Sequence, residues 1–222
     1  MPARSPAALL DVDGTLVDTT FHHALAWWRA CQEEGVTVDM WRLHRLIGMG
    51  SDQLLEAIGC AGREDLADGW QRHFDGMKDE LRPLPGAAEL VQTLAERGVT
   101  VVYATSGREE DVEDLRKLIG ADEWVHATVN SSEVEASKPA PDIFALALER
   151  ADAEPAGAVV VGDTVWDAKA AGACGVACIG VRSGGIGDAE LLEAGALAVY
   201  DDAADLAGSL DDSPVADILT RR

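Results

Sequence analysis

The sequence predicts an α/β fold, a doubly wound parallel sheet with an α-helical segment inserted after its first strand. Short aliphatic runs recur along the chain without polar alternation, which suits strands buried on both faces of a parallel sheet. Helical patterns separate those runs, and strand–helix alternation argues for a layered α/β sandwich. One long stretch, residues 18–82, breaks the alternation, with helical patterns and no strand.

Residues 7–10 (AALL) form the first predicted strand. The next segment reads as four helices, over 21–34, 40–47, 52–58 and 65–81, punctuated by Gly35, Gly48, Gly50, Gly59 and Gly62. Trp27, Trp28, Trp41 and Trp70, four of the six tryptophans, concentrate aromatic bulk there. The turn Arg82-Pro83-Leu84-Pro85-Gly86 is stiff and closes the segment. Residues 18–82 are therefore expected to form a cap, hinged near 16–18 and near Pro83, on a core built from 1–17 and 83–222. In the core, a helix over 87–97 stops at Gly98 and a strand follows over 99–104 (VTVVYA). Next come a helix at 109–119, a weaker strand at 125–129, a helix at 142–150 and a strand at 158–161. A helix at 167–173, a strand at 176–181 and an edge strand at 196–200 complete the order. The polar tail from Asp211 is expected to fray.

Composition bounds what such a fold can do. With 47 % hydrophobic and 26 % charged residues, the chain can bury a core. No apolar run reaches the roughly 18 residues of a membrane helix, and the first residues lack a signal-peptide apolar block. A cytoplasmic location is expected, as a monomer or homodimer. Forty acidic residues face 18 basic ones, a net charge of −22. Such a surface repels nucleic acid and anionic lipid, so neither is expected as a partner. It repels phosphate esters too, and a site that takes them must supply its own local positive charge. Cys31, Cys60, Cys174 and Cys178 lack disulfide or zinc spacing and are read as buried free thiols.

The chemistry-bearing residues lie where strands end. Asp11 and Asp13 follow the first strand two residues apart, a spacing that can aim both carboxylates at one site, and Gly14 lets the chain turn away. Open α/β sheets bind ligands at the carboxyl ends of their strands. A second strand ends in Thr105-Ser106-Gly107, small hydroxyls suited to phosphate oxygens, and a later one in Gly162-Asp163, with Asp167 a helical turn on. Lys138 stands at a helix start in Ser137-Lys138-Pro139. If these ends converge, Asp11, Asp13, Asp163 and Asp167 crowd together. Two carboxylates ~4 Å apart repel by about 4 kcal/mol at an effective dielectric of 20, so the group needs a cation. Hard oxygen donors select Mg2+.

DVDGTLVDT from Asp11, Thr105 after a strand, Lys138 in KPAPDIF and GDTVWD from Gly162 together resemble the four ordered motifs of the haloacid-dehalogenase superfamily. The helical insert is similar to the type-one cap of its phosphoglycolate-phosphatase and β-phosphoglucomutase branch. The resemblance implies a Rossmann-like core and a phosphatase acting on a small phosphorylated metabolite. Asp11 would attack phosphorus, and Asp13 would protonate the leaving oxygen and then activate water. Thr105 and Ser106 would hold phosphate oxygens, and Lys138 would neutralise charge. Mg2+ would bind Asp11, the Asp13 carbonyl and Asp163, with Asp167 in support.

Neighbouring branches fit less well. Asp13 has no use in a dehalogenase, and no lysine follows Met49-Gly50 as in phosphonate hydrolases. Thr19 and His23 match the sugar-phosphate mutases, but Ser51 falls near the position of the mutase cap arginine, and Gly162-Asp163 replaces a Glu-Asp pair. Hydrolysis is therefore expected, with the mutase and a non-catalytic phosphometabolite binder as alternatives. His23 and Arg45 are the cap candidates for touching substrate. Arg72 and Trp27 are weaker ones, the arginine read as solvated and the tryptophan as core.

Overall fold

The computed structural model describes residues 5–219. Strand β1 (Ala7–Leu10) lies at the centre of the sheet and is wholly buried. Four helices follow: α1 (Thr20–Glu33), α2 (Met40–His44), α3 (Ser51–Ala57) and α4 (Glu64–Asp75). Then come α5 (Ala87–Glu96), β2 (Thr100–Ala104), α6 (Glu109–Ile119), β3 (Ala127–Val129), α7 (Asp142–Arg150) and β4 (Ala158–Gly162). The last elements are α8 (Val165–Ala173), β5 (Ala177–Val181), α9 (Asp188–Ala194), β6 (Ala196–Tyr200), α10 (Ala203–Gly208) and α11 (Pro214–Leu219).

Among the described residues the strands form one parallel sheet in the order β3-β2-β1-β4-β5-β6. The register sets Leu9 opposite Val102 and Val160. Alternate residues serve opposite faces, as a two-residue period requires. Leu10, Tyr103, Val161 and Ile179 pack on one side with Leu90 and Leu94 of α5 and Val215 of α11. Leu9, Val102, Val160 and Cys178 pack on the other with Ile143 and Phe144 of α7 and Ala171 of α8. Both faces are covered, which is why no strand shows polar alternation. The chain winds outward from β1 in both directions, so the crevice for a ligand opens at the carboxyl ends of β1 and β4.

The helical insert leaves and rejoins the core at adjacent points. Val17 bridges Pro83 in antiparallel fashion, Asp18 N donates to Arg82 O (2.9 Å), and Leu84 N donates to Leu16 O (2.9 Å). Several expectations need correction. The helix expected over 65–81 ends at Asp75, because Gly76 follows and the chain tightens into a 3-10 turn at Lys78–Glu80. The helix expected over 40–47 ends at His44, where the Arg45 carbonyl accepts from Trp166 Nε1 (3.2 Å) instead of continuing a ladder. The tail expected to fray from Asp211 forms a 3-10 turn at Leu210–Asp212 and then α11, which packs on β4. Its buried Leu210, Val215 and Ile218 are spaced among polar residues, which masked the apolar stripe. Helices α9 and α10 had not been anticipated either. Cys31 and Cys178 are buried thiols as expected, but Cys60 and Cys174 are only partly covered.

Candidate active site

The site begins where β1 ends. Asp11 N donates to Val161 O (2.9 Å) and so extends the ladder to β4 by one residue. The chain then turns on Gly14, at φ +77°. A side chain at that position would run into Thr20 and the carboxylate of Asp163, so the turn needs glycine for space as well as for its torsion. The turn delivers Thr15, whose Oγ1 donates to Asp163 Oδ1 (3.1 Å) at the end of β4. Asp167 is fixed by a reciprocal cap at the start of α8: Thr164 N and Oγ1 donate to its Oδ2 at 3.1 and 2.5 Å.

Asp11, Asp163 and Asp167 meet there, with one oxygen of each within 4.8 Å of the others, all three buried. Lys138 reaches into the group. Its Nζ donates to Asp11 Oδ1 (2.5 Å) and Ala104 O (3.0 Å) and pairs with Asp167 Oδ1 (2.8 Å). Asp13 does not join them, contrary to the expected crowding of four. Its carboxylate is drawn aside by Thr19 Oγ1 (2.7 Å) and His23 Nε2 (3.0 Å), which donate to Oδ1, and by Thr105 Oγ1, which donates to Oδ2 (3.1 Å).

The two aspartates that follow β1 therefore differ in acidity. Burial pushes Asp11 up to about 7, against the pull of the Lys138 ammonium. Burial also drives Asp163 well above the carboxylate range, and the charges of Asp11 and Asp167 add to this. Burial acts on Asp13 in the same direction, but the charge and hydrogen bond of His23 and the hydroxyls of Thr19 and Thr105 outweigh it and hold Asp13 low. For Lys138, Asp11 and Asp167 overcome the burial that would discharge it, so its value is raised.

One ammonium does not balance three buried carboxylates, and Asp163 Oδ2 has no hydrogen-bond partner in the protein. An orphaned carboxylate oxygen among hard oxygen donors is what a small divalent cation completes. The residues present fit such an ion.

Above the carboxylates a cavity of about 290 Å³ lies between the insert and the core. Asp11 and Asp13 contribute to it from the core, and His23, Trp27, Trp70 and Phe74 from α1 and α4. The insert is tied down over it: Ser106 Oγ donates to Gly48 O (3.1 Å), and Gln53 Nε2 to Ser137 O (2.7 Å). At the far side Lys78 pairs with the buried Asp111 of α6 (2.8 Å).

The residues proposed from sequence sort as follows. Asp11, Lys138, Asp163 and Asp167 come together, and Asp13, Thr105 and His23 form a second, adjoining cluster. The hydroxyls of Thr105 and Ser106 are engaged with Asp13 and Gly48. Arg45 is not at the cavity: it pairs with Glu190 on the surface, as Arg72 does with Glu33. Trp27, read as core, lines the cavity while only 3 % exposed. Trp70, Phe74 and Arg108 had been missed. The usable signal was their spacing, since His23 with Trp27 and Trp70 with Phe74 each stand one helical turn apart on α1 and α4.

A doubly wound parallel sheet, with an acidic centre at its strand ends and a helical insert above it, defines an α/β enzyme of the Rossmann-like kind. A family model described as haloacid dehalogenase-like hydrolase matches residues 6–175, and the chain belongs to that family and is a hydrolase. It is similar to a β-phosphoglucomutase of Bacillus subtilis (strain 168), 28 % identical over 80 % of this chain and 84 % of the relative. It is equally similar to a phosphoglycolate phosphatase of Agrobacterium fabrum, 28 % identical over 93 % and 92 %. A solved hydrolase from Pseudomonas syringae superposes with a TM-score of 0.89 at 32 % identity, covering 94 % of this chain and 99 % of that one. Among the described residues no helix is long and apolar enough to cross a membrane.

Proposed function

We propose that this chain is a Mg2+-dependent phosphatase that hydrolyses a small phosphorylated metabolite, of the sugar-phosphate or phosphoglycolate type, through an aspartyl-phosphate on Asp11. The supporting observation is the division of labour between two aspartates, one held against Lys138 and two further carboxylates, the other held low by His23. The similarity to a phosphatase and a phosphomutase points the same way. We take residues 18–82 as the cap domain over a core of 1–17 and 83–222, and place the enzyme in the cytoplasm as a monomer or homodimer.

Asp11, Asp163 and the Asp13 backbone carbonyl would hold the ion, with Asp167 and Lys138 beside them. When bound, Mg2+ supplies charge that keeps Asp11 ionised and offsets the phosphoryl oxygens. An Asp11 oxygen attacks phosphorus and the bond to the leaving oxygen breaks. Asp13 gives that oxygen its proton. It enters the cycle as an anion and takes that proton from solvent as the substrate arrives, whose negative charge favours the protonated form. Once deprotonated, Asp13 takes a proton from the water that attacks the aspartyl-phosphate, which releases phosphate and restores Asp11. Lys138 balances charge on nucleophile and phosphate throughout, and Thr105 and Ser106 turn their hydroxyls to phosphate oxygens once their present acceptors are displaced.

The test is hydrolysis of p-nitrophenyl phosphate with Mg2+. Asp11→Asn should lower kcat by ~10³-fold or more, and full turnover by that variant would overturn the nucleophile. A mutase is the second reading, favoured by the completed Thr19–Asp13–His23 contacts that match that branch. Conversion of β-glucose 1-phosphate to the 6-phosphate would establish it.

A further inference from the structure

Trp70 belongs to an aromatic row on the insert's side of the cavity. Its ring centre is 5.4 Å from that of Trp27 and 5.8 Å from that of Phe74, each pair stacked. Phe74 in turn lies 4.1 Å from the imidazole of His23, the group that donates to Asp13. The Arg108 guanidinium stands 5.3 Å from the Trp70 ring centre. Amid these neighbours the indole N–H finds no acceptor: Nε1 is buried without a hydrogen-bond partner, in a residue only 8 % exposed. A buried donor left unmet is destabilising, and a ligand that turns the indole edge toward the cavity and brings an acceptor relieves it.

We propose that Trp70 determines specificity, its indole N–H donating to a hydroxyl or ring oxygen of the substrate's leaving group, and that this leaving group is an uncharged, hydroxylated ring. The inference rests on the phosphatase function above and narrows it. An aromatic wall packs against the C–H face of a ring and gives nothing to a short acyclic anion. Asp52 and Glu135, also on the cavity wall, accept from hydroxyls and repel a second negative group. Arg108, also on the wall, lies against the indole, and those two carboxylates outnumber it. A carboxylate or a second phosphate on the leaving group is therefore disfavoured, which separates this cavity from the needs of a phosphoglycolate phosphatase and of a bisphosphate-dependent mutase.

The experiment compares kcat/KM for a panel of hexose monophosphates, phosphoglycolate and acetyl phosphate, with Mg2+, in the wild type and in Trp70→Phe. The best hexose phosphate should exceed phosphoglycolate by roughly tenfold or more. Trp70→Phe should lose roughly tenfold on that hexose phosphate, the size of one hydrogen bond, and distinctly less on acetyl phosphate, which has no hydroxyl. Monodeoxy analogues assayed on the unaltered protein repeat the test without a variant, and one of them should show the same loss. Preference for phosphoglycolate, equal losses on both substrates by a folded Trp70→Phe, or indifference to every deoxy analogue would overturn the role of Trp70 while leaving the phosphatase intact. Failure of the wild type to hydrolyse any of the panel would instead overturn the phosphatase function, and this inference with it.

Discussion

Asp11 and Asp13 stand two residues apart on the same loop, yet burial raises one and a histidine lowers the other. The difference comes from neighbours supplied by distant segments: Lys138 and Asp167 on one side, His23 and Thr105 on the other. His23→Gln keeps a hydrogen-bond donor but removes any charge, so the Asp13 value should rise. The acid limb of the pH profile for hydrolysis of the aspartyl-phosphate, the step that needs ionised Asp13, should then move to higher pH. An unmoved limb would show that His23 does not tune Asp13. At this scale the sequence was informative about residue types and silent about partners. The DxDG spacing revealed that two carboxylates leave one strand end, but that Asp13 turns away from the other three depends on Thr19, His23 and Thr105. Arg45 failed as a candidate for a related reason, since an arginine's reach lets it find any nearby carboxylate, here Glu190.

Strand ends concentrate charge, and the concentration makes the sheet sensitive to pH. Asp11 and Asp163 have folded-state values above their unfolded ones, so each stabilises the fold fully below the ordinary 3.8. That contribution is lost as pH rises, through about 7 for Asp11. Metal-free protein should therefore melt lower at about pH 8 than at about pH 5.5, by on the order of 5 °C. Mg2+ should raise the melting temperature more at the higher pH, where the carboxylates are ionised. A metal-free melting temperature that climbs over this interval would contradict the burial of those charges. The strands themselves were legible because each is an unbroken aliphatic run, and all six fall within two residues of their expected bounds. Helix ends were less so. Gly76 and the diverted Arg45 carbonyl cut two helices short, and α11 was hidden because Leu210, Val215 and Ile218 are apolar residues scattered among acids.

Across the whole molecule, insert and core touch at the cavity rim, at Lys78 and at Arg45, which meets Glu190 and Trp166. The Lys78 ammonium faces Asp75 (3.0 Å), Asp111 (2.8 Å) and Asp114 (3.6 Å), two of them on α6 of the core. Burial would discharge it, but hydrogen bonds to Asp111 and Asp75 raise its value instead. Lys78→Met leaves those carboxylates facing one another, so KM for p-nitrophenyl phosphate should rise several-fold, with kcat changed less. A change confined to kcat would show that the contact does not hold the insert closed. The insert was legible as a break in strand–helix alternation, but which of its faces meets the cavity was not, since that depends on how α1 packs on α4. The paired crossings at Val17–Pro83 and Asp18–Arg82 add a mechanical consequence. Two crossings stitched side by side act as a single leaf spring, which would let the insert tip over the carboxylates but not swivel. Each tip would then return Trp70 and His23 to the same spot above Asp13.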